Sequence, residues 1–127
     1  MKTITLYRPV GQLELDLIKA SGYTEFPPRL EWQPIFYPVL DLEYACTIAR
    51  EWNTNDDANG NVGYVTQFEI PQDYFEQFDV QNVGGRNHNE IWVPAAELNE
   101  FNNKLTNGIK VVRAFYGEKF GGEKAFE

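Results

Sequence analysis

An acid, Glu90, stands at the entrance of the apolar run Ile91-Trp92-Val93, just past a loop that holds Gly84, Gly85 and the single histidine, His88. Acids are depleted from strands. A carboxylate fixed on a strand edge can stabilise a developing cation, or act as a general base where partial burial tunes it. The plainer reading is an acid that caps the sheet edge or pairs with Arg86. His88 lies two residues before Glu90, so on an extended chain both side chains point to the same side. There His88 either contacts a ligand or stays an exposed loop residue. Arg8 closes an alternating run beside Pro9 and Gly11. A guanidinium at a strand end suits two-pronged capture of a phosphate or carboxylate, or else it pairs with one of the nineteen acids. Tyr37 sits in an apolar run between Pro34 and Pro38. It can stack on a flat ring and orient a ligand through its hydroxyl, or simply fill the core or its rim.

Other chemistries find no support in the spacing. A lone histidine is too little for a metal site, so none is expected. No GxGxxG, P-loop, HExxH, GxSxG or CxxC pattern occurs. Gly84-Gly85 resembles a phosphate-cradling turn only loosely. The one cysteine, Cys46, falls on the apolar face of a predicted helix, which argues against a cysteine nucleophile.

The elements that must position these residues are legible from pattern. Residues 3–8 alternate as a strand, ended by Pro9 and Gly11. Residues 12–21 carry Leu13, Leu17, Ile18 and Ala20 at helical spacing, with Gly22 at the expected C-terminal position. Residues 23–33 contain Pro27-Pro28 and read as a loop. Residues 34–39 predict a short strand whose prolines place it at an edge or a strand end. Asp41 is a good N-cap for a helix with Leu42, Ala45, Cys46, Ala49 and Trp52 on its apolar face. Residues 53–63 are rich in Asn, Asp and Gly and predict an exposed loop. Residues 64–70 alternate again, with Tyr64, Thr66, Phe68 and Ile70 on one face. Residues 71–78 predict a helical turn packing Tyr74, Phe75 and Phe78, and 80–83 a short strand. Residues 91–93 predict a strand, and Pro94 opens a helix through Leu98, Phe101 and Leu105. Residues 109–116 predict the last strand. Short, clustered strands of this kind favour an α+β fold with a mainly antiparallel, split sheet and short flanking helices.

At 127 residues the chain is sized for one domain. That domain is expected over 1–116, with 117–127 a frayed tail. Hydrophobic residues at 43% and aromatics at 15% supply a core without metal or disulfide staples. The single cysteine forbids an internal disulfide and fits a reducing compartment. The N-terminus lacks an apolar leader-like stretch, and charge or proline breaks every apolar run before membrane length. A cytoplasmic protein with no membrane partner is expected. A net charge of −8 opposes non-specific binding to nucleic acid or anionic lipid. The eleven Lys and Arg still leave room for one locally basic pocket for a small anion.

Taken in order, three segments resemble the ADP-ribosyltransferase fold. That family carries Arg or His on a first strand, Tyr or Ser on a second strand before a helix, and Glu on a later strand. Leu6-Tyr7-Arg8-Pro9-Val10-Gly11 looks like the first element. Ile35-Phe36-Tyr37-Pro38, followed by the predicted helix, looks like the second. His88-Asn89-Glu90-Ile91-Trp92-Val93-Pro94 looks like the third. Over residues 3 to about 116 the chain is also similar to a group of small uncharacterised bacterial proteins that carry an ADP-ribosylation label. The resemblance implies NAD as substrate. It implies that Arg8 binds the phosphate or ribose of NAD and that Tyr37 stacks on nicotinamide, with His88 counted among the ligand contacts. Glu90 would be the catalytic residue, holding the nicotinamide ribose and stabilising its oxocarbenium character. ADP-ribose would pass to a protein or small-molecule acceptor, or to water. His88 stands where many arginine-modifying members have Gln or Glu, and no Ser-Thr-Ser motif occurs. The reading from a different class is a non-catalytic acidic interaction protein, such as an immunity partner, whose charge suits a basic protein. The two differ in whether Arg8, Tyr37 and Glu90 meet around one hollow.

Overall fold

The computed structural model describes residues 2–124 and Phe126. It is an α+β fold built on antiparallel pairings and four short helices. The main sheet has the order β1 (Thr3–Val10), β3 (Val62–Pro71), β7 (Thr106–Tyr116). The alternation of β1 buries Leu6, Arg8 and Val10, and that of β3 buries Tyr64, Thr66, Phe68 and Ile70. A two-stranded pair joins β4 (Val80–Asn82) to β5 (Asn89–Ile91), and a second joins β2 (Ile35–Phe36) to β6 (Val93–Pro94).

One residue splices these pieces. Val39 pairs with Tyr7 of β1 on one side and with Glu90 of β5 on the other. Its amide donates to the Tyr7 carbonyl at 2.8 Å, and the Tyr7 amide donates back at 2.9 Å. On the far side the Leu40 amide reaches the Asn89 carbonyl and the Ile91 amide the Pro38 carbonyl, each at 3.0 Å. Pro38 accepts from β5 through its carbonyl but has no amide hydrogen to give back, so the pairing on that side is one-sided at this residue.

Helix α1 (Gln12–Ala20) and helix α2 (Leu42–Glu51) follow β1 and the Val39 segment. Asp41 caps α2 by accepting the Tyr44 amide at 2.9 Å. The buried Ala45, Cys46 and Ala49 lay α2 across the face of the sheet that carries Val39 and Val65. Gly63 of β3 passes directly beneath this helix. A Cβ there would meet the Ala49 carbonyl oxygen at 2.6 Å and the Asn53 Cβ at 2.8 Å, so only glycine fits. The opposite face holds the larger core, where Phe26, Phe36, Phe68 and Phe101 pack edge to face. Helix α3 (Gln72–Phe75) and helix α4 (Leu98–Lys104) close it.

Several expectations are corrected. In α1 the buried residues are Leu15 and Ile18, while Leu13 and Leu17 are 60% and 56% exposed. The alternating leucines fit two faces equally, and the docking of α1 selects the other one. Trp52 lies at the C-cap of α2 and is 73% exposed, off the buried stripe. The strand predicted over 91–93 is broken at Trp92, because the chain leaves β4 there and pairs with β2 instead. Residues 53–63 are not a plain exposed loop. They hold two short 3₁₀ turns, bury Thr54 and Asn61, and end in the first residues of β3. Strand β7 begins at Thr106 rather than residue 109, since Asn107 and Gly108 take positive φ and enter the sheet through a register shift. Apart from these corrections, Phe120 packs on Tyr116, and the Tyr116 hydroxyl donates to the Phe126 carbonyl at 2.7 Å. Ala125 and Glu127 of the expected tail lie outside the described residues. No helix among the described residues is long and apolar enough to cross a membrane.

The Tyr74 hydroxyl is buried without a partner. Burial first, then the charges of Glu97 and Glu100, push the phenol up from 10.0 to about 12. A raised folded-state value means this contribution to stability is whole below the unfolded value and lost as pH rises through the folded one. Tyr74→Phe should therefore match or exceed the parent at neutral pH by up to about 1 kcal/mol. It should also lose stability less steeply between pH 10 and about 12. Urea unfolding across that range tests this, and clear destabilisation at neutral pH would show that the hydroxyl is satisfied.

Candidate functional site

Where β1 and the chain after β2 diverge past Val39, a cavity of about 310 Å³ opens, and Arg8, Tyr37 and Glu90 all line it. Pro9 and Val39 form its floor on the sheet, and Ile48 and Asn53 close it from the end of α2. Each functional side chain arrives from a different segment. Glu90 lies on β5, opposite Val39, and so turns towards α2. Tyr37 is two residues before Val39 and shares its side. Arg8 belongs to the opposite face of β1, with Leu6 and Val10, and reaches the cavity through the gap between the segments.

Glu90 is 8% exposed and has no cationic partner among the described residues. Its carboxylate is held by two neutral donors. The Trp92 indole donates to Oε1 at 2.7 Å, and the Tyr44 hydroxyl donates to Oε2 at 3.3 Å. A buried carboxylate without a counter-charge is costly unless its surroundings supply positive charge. Such a group is suited to a ligand that carries or develops positive charge. Burial, then the Glu90 charge, then the hydrogen bond itself raise the Tyr44 pKa above its ordinary 10.0, keeping that donor protonated.

The Tyr37 ring is 39% exposed and meets the Trp92 ring edge-on, with centroids 6.4 Å apart. These rings make an aromatic wall beside the carboxylate. Arg8 is nearly buried and fully engaged on one edge. Its Nε donates to Glu14 Oε2 at 2.7 Å and its Nη2 to Glu14 Oε1 at 2.9 Å, while the guanidinium lies over the Phe36 ring at 4.7 Å.

His88 does not line this cavity. It stacks on Tyr44 with centroids 4.3 Å apart and planes 13° from parallel. It thus shares the side of Glu90, as the alternation predicts, but acts on the ring that holds the carboxylate. The glycine loop closes the β4–β5 hairpin through Asn82, whose Nδ2 donates to the Gly85 carbonyl at 2.9 Å and whose Oδ1 accepts the Gly84 amide at 3.2 Å. Its polar groups are spent on the turn. Cys46 is buried and burial raises its thiol pKa, which leaves it poorly suited to nucleophilic attack.

The pattern missed Glu14, Tyr44, Asn53 and Trp92. Trp92 carried a signal, since it lies two residues from Glu90 on the same strand side. The others become visible only when separate elements meet. Comparison with family models, with curated proteins and with solved structures found no match.

The Tyr44–Glu90 contact has a direct readout. Glu90→Gln removes the negative charge that opposes the phenolate while leaving the burial, so the Tyr44 pKa should fall towards 10.0 without reaching it. Phenol titration by NMR, assigned with Tyr44→Phe, measures this. An unchanged Tyr44 titration would mean that the two groups do not touch in solution.

Proposed function

We propose that the chain binds NAD and breaks its nicotinamide–ribose bond, in the manner of an ADP-ribosyltransferase, passing ADP-ribose to an acceptor or to water. The observation that carries this reading is the convergence of Arg8, Tyr37 and Glu90 on one cavity from three neighbouring segments. Tyr37 offers a flat face for the nicotinamide ring. Glu90, buried and lacking a counter-ion, faces the ribose. As the glycosidic bond lengthens, the electron pair leaves with nicotinamide and positive charge grows on the ribose ring. A carboxylate fixed by Trp92 and Tyr44 stabilises that charge without having to reorganise. Arg8, held flat by Glu14, presents its remaining edge to the ribose or phosphate. Fold alone would not justify this reading; it rests on the chemistry of the cavity.

The acidic interaction protein remains as a second reading. It is favoured by the net charge of −8 and by Trp52, which is 73% exposed and does not line the cavity.

Incubation of the full chain with NAD should release nicotinamide, and Glu90→Gln should lower that rate by about 10²-fold or more, the size expected for loss of one preorganised electrostatic group. Tyr37→Ala should weaken NAD binding. NAD binding without turnover would point to a binding role for the site. Neither binding nor turnover would remove the dinucleotide reading and leave the interaction protein.

A further inference from the structure

Beside the first cavity lies a larger one of about 590 Å³, and the two share Arg8, Pro9 and Asn53. We propose that Arg29, which lines this larger cavity, is the residue that binds the diphosphate of a nucleoside diphosphate group, with Arg8 left to the adjoining sugar. The sequence pattern gave that part to Arg8. Glu14 already occupies two of the Arg8 donors, which leaves Arg29 the freer fork for the diphosphate and Arg8 a single edge for the sugar.

Arg29 is free in the way Arg8 is not. No carboxylate lies within ion-pair distance of it among the described residues. Its Nε donates to the Ile35 carbonyl at 3.1 Å, and its terminal nitrogens have no hydrogen-bond partner among the described residues. The fork is thus fixed at its base and open at its tip, the arrangement that suits two-pronged contact with phosphate. Its guanidinium lies 5.9 Å from the centre of the Phe36 ring, the ring that also carries Arg8. Pro27 and Pro28, just before it, restrict the backbone that presents it.

The charges in this hollow oppose those of the whole chain. Arg8, Glu14 and Arg29 are the only charged residues lining it, which leaves one net positive charge inside a protein of net charge −8. Burial, and next the nearby Arg8 charge, lower the Arg29 pKa, as expected for a half-buried cation facing another cation. An anion there relieves both effects. Part of the wall is apolar and open, with Leu13, Leu17, Leu30 and Trp32 between 52% and 76% exposed, and Gln33, Asn53 and Asn59 add neutral polar groups. A flat base has a surface to lie on next to the anion site. The cavity has the size of a small-molecule site. The choice of a nucleoside diphosphate rests on the dinucleotide reading above; the anion site rests on the cavity's own charge.

Calorimetric titration of the full chain with ADP separates the two. The parent chain should bind ADP, more weakly as salt is added, and Arg29→Gln should weaken it about tenfold or more. Leu17→Asp, which leaves Arg29 in place and adds a like charge to the wall at an exposed position, should weaken ADP as well. Glu90→Gln should leave ADP affinity unchanged. ADP binding that ignores both substitutions, or no ADP binding by the parent, overturns the assignment of Arg29. ADP binding lost in Arg29→Gln, with no turnover of NAD, sustains Arg29 and sinks the enzyme. Turnover of NAD with an Arg29→Gln KM equal to the parent's does the reverse.

Discussion

The structure depends on a single backbone splice. The segment 38–40 hydrogen-bonds to β1 through Val39 and to β5 through the Pro38 carbonyl and the Leu40 amide, and so ties the three-stranded sheet to the β4–β5 hairpin. Two prolines explain why the splice is so short. Pro34 and Pro38 bracket the segment and cannot donate, so a long central strand cannot form there. The segment touches β1 at Val39 and then leaves it. The opening that this departure creates is the cavity, and it lies between the residues that the splice holds in register.

The same constraint organises the electrostatics. Because Val39 stands between Tyr7 and Glu90, the three side chains share the face covered by α2. Glu90 is therefore pressed against Tyr44 rather than towards solvent or a lysine. Arg8, one residue from Tyr7, must take the other face, where Glu14 and Phe36 meet it. Cation and anion are each satisfied by a different group. If they were on one side they would neutralise one another, and the cavity would have no polarity to offer. As it is, the carboxylate at one end is held by neutral donors, and the guanidinium at the other is paired with Glu14.

Much of the fold was legible and the site was partly so. Alternation located β1 and the later half of β3 because one face of each is buried, and Asp41 marked the start of α2 because its side chain caps it. Arg8, Tyr37 and Glu90 stood out as polar residues at the ends of apolar runs, and all three line one cavity. What stayed hidden depends on contacts between distant segments. The break at Trp92 is set by the exchange of β4 for β2, which no local pattern encodes. The leucines of α1 alternate so evenly that docking alone decides that Leu15 goes in and Leu13 stays out. The Arg8–Glu14 pair bridges a strand and a helix across the turn at Gly11, a contact outside any helical or strand spacing. Arg29 sits in a proline-containing loop where a cation looks ordinary until its lack of a partner is seen.

The break at Trp92 also shows why the carboxylate can be placed so firmly in a chain of this size. A strand that ran straight from β5 into β6 would keep one partner and hold Trp92 in its pleat. By changing partners the chain turns at that residue, half exposing the ring while its Nε1 still reaches back to Glu90. One side chain thus gives a hydrogen bond to the buried acid and an edge to the Tyr37 ring. The hairpin adds a second restraint, since His88 stacks on Tyr44 and limits how far its hydroxyl can swing from Glu90. Position is fixed by aromatic rings with few rotatable bonds, which lose little entropy on ordering compared with long charged side chains. That is an economical way to hold a charge still in a small domain with no metal-ligand cluster among its described residues and no disulfide.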